Sequence, residues 1–181
     1  MILNRLKIAF IILALISCKS SESQFFNDPE ASNRVKDQPY LSVTKIVDGD
    51  TFWVDNGTEK GLKIRFIGID APESRKMFKR QIGYFGKEAK LYLTELLTNK
   101  KVRLVSDVDP FDQYGRALSY VYLEDGTFVN AELIKNGYAV LMTVPPNVEF
   151  ADYFAKLQVE ARNNKKGLWN VEISSSLQVV D

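Results

Sequence analysis

The 181-residue chain contains no histidine and a single cysteine, Cys18. Without imidazole, every mechanism that uses that ring as general base or metal ligand is excluded. One thiol cannot build an internal disulfide framework, and it cannot assemble a zinc site. Long hydrophobic runs are missing too. The main apolar run, Ile8-Ala9-Phe10-Ile11-Ile12-Leu13-Ala14-Leu15-Ile16, is too short to span a bilayer as a helix. There is no excess of positive charge: 24 Lys and Arg face 23 Asp and Glu, and leaving out Arg5 and Lys7 makes it 22 against 23, or −1. The general cationic footprint that duplex nucleic acid requires is therefore absent, and any such contact has to be local. No internal repeat is visible.

What stands at the N-terminus reads as an address. Arg5 and Lys7 precede the short apolar run, as in a secretory signal. The run ends in Leu15-Ile16-Ser17-Cys18, which resembles the bacterial lipobox, where small residues precede a cysteine that is lipidated and becomes the new N-terminus. The lone cysteine falls where such processing needs it. We expect residues 1–18 to be a lipoprotein signal ending at lipidated Cys18, giving an extracytoplasmic protein anchored to a membrane rather than spanning it. The plainer alternative is a cleaved signal whose last residue happens to be Cys18. Residues 19–39 are polar with no sustained apolar period and read as a tether, with a mean reach on the order of 25 Å. Phe25 and Phe26 are the exceptions and could pack on the domain. Residues 40–170 have one domain's length, and 171–181 form a tail.

Within the domain, Leu41–Val47 alternates and is β-branched, so it reads as a strand. Asp48-Gly49 turns it into a second, Thr51–Val54, and Asp55-Asn56-Gly57 into a third, Leu62–Gly68. A helix is predicted from about Gly83 to Thr98, with Ala89, Leu93, Leu96 and Leu97 at i, i+4, i+7 and i+8. Strands follow at Lys101–Ser106 and Ala117–Leu123. A short helix runs from Asn130, a plausible N-cap, to Asn136-Gly137. A last helix spans about Val148 to Asn164, with Asn147 as its candidate cap, Gly167 just beyond it and Trp169 packing back. This order predicts an α+β, mainly β fold: a five-stranded OB-type barrel with three helices.

Three motifs carry chemistry: Val47-Asp48-Gly49-Asp50-Thr51, Lys63-Ile64-Arg65-Phe66-Ile67-Gly68-Ile69-Asp70-Ala71-Pro72-Glu73, and Asp112-Gln113-Tyr114-Gly115-Arg116. Carboxylates at strand ends suit a hard cation bound through oxygen, Ca²⁺ or Mg²⁺. Arginines suit the charge on a phosphoryl group. A remaining carboxylate suits a water that must be oriented or deprotonated. Each motif alone has a bland reading: a solvated turn, a strand ended by Pro72, an outward arginine, a hairpin loop. Their combination is what points to chemistry.

In these motifs the chain resembles the staphylococcal nuclease (thermonuclease) family. Further stretches carry the likeness: Tyr84-Phe85-Gly86-Lys87-Glu88-Ala89, Val129-Asn130-Ala131-Glu132-Leu133, Gly137-Tyr138-Ala139 and Lys165-Lys166-Gly167-Leu168-Trp169. The resemblance implies Ca²⁺-dependent hydrolysis of DNA and RNA that leaves 3′-phosphate ends. It implies that Asp50, Asp70 and the Ala71 carbonyl bind the metal, that Glu73 positions or deprotonates the attacking water, and that Arg65 and Arg116 hold the scissile phosphate. It places Tyr114 on the nucleotide's terminal phosphate. We expect a monomer acting on single-stranded or frayed DNA or RNA.

Two departures stand out. The family's founding member frames the base with tyrosines after the second helix, whereas the segment here is Val140-Leu141-Met142-Thr143-Val144-Pro145-Pro146, and Gln113 replaces a lysine common beside the loop tyrosine. The loop Ser74-Arg75-Lys76-Met77-Phe78-Lys79-Arg80 interleaves basic residues with an aromatic and could compensate, with Lys79 as a substrate-binding candidate; a solvated loop is the plainer reading. Two rivals belong to other classes: a lipid-anchored OB-fold module that binds nucleic acid or protein without catalysis, and a surface lipoprotein that adheres to a partner. Neither requires Asp50, Asp70, Glu73, Arg65 and Arg116 to coexist.

Overall fold

The structure, a computed structural model, describes residues 38–74, 83 and 85–170. The segments expected to be a leader with Cys18 and a tether with Phe25 and Phe26 (all but residues 38 and 39), Lys79 with most of the 74–80 stretch, and residues 171–181 lie outside the described residues. Among the described residues no helix is long and apolar enough to cross a membrane.

Five strands close into a barrel: β1 (Tyr40–Asp48), β2 (Thr51–Val54), β3 (Leu62–Phe66), β5 (Lys101–Val105) and β6 (Ala117–Leu123), in the order β1-β2-β3-β6-β5. The first three form the meander expected from their turn chemistry. β3 then pairs in parallel with β6, and β5 returns antiparallel to β1 to complete the ring. Register shifts between Val43 and Lys45 and between Ile46 and Asp48 coil β1, the local bending a small barrel needs to close. Phe52, Val54, Ile64, Phe66, Val102 and Val121 fill the interior, and their alternation with outward residues fixes the register.

Three helices complete the α+β fold: α1 (Gly86–Leu97), α2 (Val129–Lys135) and α3 (Ala151–Asn163). Ala89, Leu93 and Leu97 of α1 are fully buried, and Leu96 packs at the margin. Tyr120, Phe128, Phe150 and Phe154 form an aromatic cluster joining barrel and helices. Trp169, in a closing 3₁₀ turn (Gly167–Trp169), lies under the Arg162 guanidinium at 4.3 Å.

Some boundaries differ from the sequence reading, for physical reasons. α1 starts at Gly86 rather than Gly83, because Phe85 adopts a left-handed backbone (φ 66°) that no helix can contain. The third strand ends at Phe66 rather than Gly68. Gly68 turns with φ 78°, and a Cβ there would come within 2.7 Å of the Phe154 ring, so only glycine fits. Asn130 is not a cap: it lies inside α2, whose N-cap is Phe128. Asn147 is not a cap either, since α3 starts at Ala151 after Phe150. A short second sheet was not foreseen: β4 (Ile69–Asp70) pairs with β7 (Val140–Leu141).

Candidate functional site

The turn between β1 and β2 is tied to the segment that follows β4. Asp48 Oδ1 accepts hydrogen bonds from the backbone N–H groups of Gly49 and Ser74, both at 3.0 Å. Asp50 is 7% exposed; its Oδ1 accepts from the Thr51 hydroxyl at 2.9 Å and its Oδ2 from the Ala71 N–H at 2.8 Å. Two successive carboxylates thus hold residues 71–74 against the barrel. The approach is close enough that a Cβ on Gly49 would meet the Ala71 Cβ at 2.7 Å.

Arg65 faces Thr51 across the β2–β3 ladder. Its Nη1 forms an ion pair with Asp50 Oδ2, and its Nη2 donates to Asp70 Oδ1 at 2.6 Å. One guanidinium therefore joins the two carboxylates. Burial works against the Arg65 charge, but Asp50 and Asp70 together outweigh it and leave its pKa above the ordinary arginine value. Glu73 is half-buried and three residues beyond Asp70; its carbonyl accepts from the Gly83 N–H at 2.9 Å, which fixes the backbone.

Tyr114 and Arg116 sit in the loop before β6, and Asp112 organises it. Its Oδ1 accepts from the N–H groups of Tyr114 (2.9 Å) and Arg116 (3.0 Å), and its Oδ2 from Arg116 Nε at 2.6 Å. Burial alone would raise the Asp112 pKa, but the bonds from Arg116 and Tyr114 more than offset it and hold the carboxyl below its usual value. The Tyr114 ring is 75% exposed, with the Arg116 guanidinium 5.3 Å from its centre.

Arg65 and Arg116 both open on one cleft of about 450 Å³. Its apolar walls are Ile67, Phe111, Leu118, Met142 and Val144, with Tyr114 at the rim. Phe111, Met142 and Val144 are themselves exposed, so an uncovered apolar lining sits beside two guanidinium groups. Asn147 clamps the two sides together: its Oδ1 accepts from the Asp109 N–H at 2.8 Å and its Nδ2 donates to the Asp109 carbonyl at 2.9 Å. The β4–β7 pair and the Met142 N–H bond to the Gly68 carbonyl (2.9 Å) hold the Met142 wall.

The structure thus gathers Asp50, Arg65, Asp70 and Ala71 at one point, and brings Arg116 and Tyr114 to the same cleft as Arg65. Glu73 belongs to the tied segment but does not line that cleft. Lys79 lies outside the described residues. Sequence reasoning missed Asp48, Asp112 and Asn147 as positioning residues, and Phe111 as a wall. Phe111 had a signal: it is an aromatic residue immediately before the Asp112 loop.

A family model described as "Staphylococcal nuclease homologue" matches residues 63–171. The chain belongs to the staphylococcal nuclease family. It is 36% identical over 140 residues to the thermonuclease of Staphylococcus intermedius, covering 77% of this chain and 81% of that one. It is 37% identical over 151 residues to the thermonuclease of Staphylococcus hyicus, covering 83% and 86%. It is also similar to endonuclease YhcR of Bacillus subtilis, at 32% over 163 residues, which is 86% of this chain but 13% of that much longer protein.

Proposed function

We propose that this protein is a Ca²⁺-dependent nuclease that hydrolyses phosphodiester bonds in DNA and RNA, leaves 3′-phosphate ends and is held at a membrane by lipid on Cys18. The observation that carries the catalytic reading is that Arg65 and Arg116 open on one cleft beside the Asp50–Asp70 carboxylates. The names of the relatives, thermonuclease and endonuclease, support the nuclease part of this reading.

The donor chemistry fits a hard cation. Asp50 and Asp70 offer carboxylate oxygens around one positive group, and the chain has no histidine. Among the described residues no group of three or more acids, histidines or cysteines is arranged for a metal. Calcium would rely on these two carboxylates, the Ala71 carbonyl, waters and a substrate oxygen. When bound, the ion offsets phosphate charge and helps to orient water.

With a cation on Asp50 and Asp70, Arg65 would exchange its two carboxylate contacts for the scissile phosphate, which it would grip with Arg116 to stabilise the charge that builds there. Glu73 orients the attacking water or takes its proton. The water oxygen bonds to phosphorus and the P–O5′ bond breaks, which leaves phosphate on the 3′ oxygen and a hydroxyl on the 5′ side. A base rests between Phe111, Met142 and Val144, which take over the framing that the 140–146 segment lacks tyrosines to provide. Tyr114, beside Arg116, faces the terminal phosphate.

Digestion of single-stranded DNA and RNA by the full chain, in Ca²⁺ and then in excess chelator, tests this reading. Cleavage only with Ca²⁺, yielding ends that a 3′-phosphatase converts to hydroxyls, is expected. A folded protein that binds oligonucleotide in Ca²⁺ without cutting it would mark a binding module instead. The anchor is tested separately: Cys18→Ala should abolish membrane fractionation of the processed protein, and a processed variant still found with membranes would refute it.

A further inference from the structure

A second surface shares its rim with the phosphate cleft and has no role in the reading above. Trp53 stands in the middle of β2, and its cross-strand partners are Lys45 on β1 and Lys63 on β3. Phe52, Val54 and Ile64 are fully buried, so the pleat turns Trp53 and Lys63 to the outer face. A Lys–Trp–Lys row therefore crosses three strands. Lys60, from the turn before β3, joins it. Trp53, Lys60 and Lys63 line a groove of about 520 Å³ whose other wall is Tyr114 and Arg116. Trp53, Lys60 and Lys45 line a shallower extension of about 300 Å³.

Two features set this groove apart from a merely solvated sheet face. Tyr114 and Arg116 line both it and the phosphate cleft, so a chain leaving the arginines runs directly into it. No acid lines it, and among the described residues Lys45, Lys60 and Lys63 have no carboxylate partner. In a chain of nearly balanced charge, uncompensated lysines flanking a tryptophan form a local basic–aromatic track, the combination that holds single strands through backbone charge and base stacking.

We propose that this groove is a second subsite for single-stranded polynucleotide, in which a base beyond the scissile phosphate stacks on Trp53 while neighbouring phosphates lie on Lys60 and Lys63. The proposal rests on the nuclease reading for its direction but not for its binding chemistry. It makes the protein prefer long single strands over dinucleotides.

The test uses fluorescence and kinetics on the full chain. The chain has two tryptophans, so Trp169→Phe leaves Trp53 as the only one; adding Glu73→Gln prevents cleavage. In Ca²⁺, a ten-nucleotide oligothymidylate should quench Trp53 emission strongly and a dinucleotide far less. In the cleaving protein, Trp53→Ala should reduce the kcat/KM ratio of decamer to dinucleotide about ten-fold, the order expected for a lost stacking contact. Lys60→Gln with Lys63→Gln should lower the salt slope of decamer binding by about 1.4, at about 0.7 per phosphate contact. Melting temperatures of the variants confirm folding. Cleavage of both substrates with no quenching, an unchanged ratio and an unchanged salt slope would overturn the groove and leave the nuclease reading intact. Quenching by the decamer in a protein that cleaves neither substrate would uphold the groove and overturn the nuclease.

Discussion

Arg65 Nη2 lies 2.6 Å from Asp70 Oδ1, while the same guanidinium pairs with the buried carboxylate of Asp50. Asp50 stands in the turn before β2, Arg65 on β3 and Asp70 on β4, so one arginine ties that turn to two strands. The pairing sets the guanidinium plane where Arg65 also borders the cleft. Charge alone would not reproduce this, because a lysine offers a point charge rather than a planar fork.

Arg65→Lys and Arg116→Lys should therefore each lower kcat by about 10²–10³, the usual loss for one transition-state donor. Glu73→Gln, which keeps shape but removes the proton-accepting carboxylate, should lower it at least as far. Affinity for a short oligonucleotide should change much less, since these groups act on the transition state. A rise in KM with kcat unchanged would show that they serve only to bind substrate.

Calcium should raise thermal stability. A ligand bound only by the folded state adds about 2.7 kcal/mol at a hundred times its dissociation constant. In Asp50→Asn one carboxylate charge is gone, and the single amide oxygen can accept from Thr51 or from Ala71 but not from both, as the two carboxylate oxygens do. The Ca²⁺-induced rise in Tm should shrink by more than half in this variant. The same rise in variant and wild type would remove Asp50 from the metal site.

Asp112 gives the loop a defined acid limit. Its folded pKa lies below the ordinary 3.8, held down by the bonds from Arg116 and Tyr114. A group with a depressed folded pKa contributes stability that is complete above its unfolded pKa and is lost as pH falls through the folded value. Asp112→Asn should therefore lower Tm at pH 7, and its difference from wild type should narrow below about pH 4. It should also reduce turnover at neutral pH, because Arg116 Nε loses its anchor. A Tm difference that stays constant down to pH 2 would disconnect Asp112 from acid sensitivity.

The barrel was legible in the sequence because its strands announce themselves locally: Thr51–Val54 and Ala117–Leu123 alternate or are β-rich, and glycine–acid turns bound them. The ligand-type residues were legible because they cluster at those turns. What stayed hidden depends on contacts between distant segments. Asn130 and Asn147 precede apolar periodic stretches, which is a cap signal. In the fold, Asn130 instead accepts from the Val121 N–H and donates to the Ile67 carbonyl, both at 2.9 Å, and stitches α2 to β6 and to the cleft wall. β4 and β7 have two residues each, too short to show any period. That Arg65 joins Asp50 to Asp70 follows only from how the strand ends meet.

Asn147 joins the two sides of the cleft through both of its amide bonds to Asp109. Asn147 is 5% exposed but Asp109 is itself exposed, so water can reach the Asp109 backbone once the amide is gone. Asn147→Ala should destabilise the fold by about 0.5–1.5 kcal/mol for each hydrogen bond lost. The larger functional effect should fall on substrate binding: with the Asp109–Phe111 side free to drift from the Met142–Val144 side, KM should rise several-fold while kcat changes little. Asn147→Asp separates the two bonds, since it keeps the acceptor for the Asp109 N–H but sets a carboxylate oxygen against the Asp109 carbonyl. Its effect should be no smaller than that of alanine, because like-charged oxygens repel where a bond was lost. Amide exchange at Asp109 reads the clamp directly: it should accelerate in Asn147→Ala. If exchange accelerates but KM stays at the wild-type value, the cleft walls do not need the clamp, and the role of Asn147 is confined to stability.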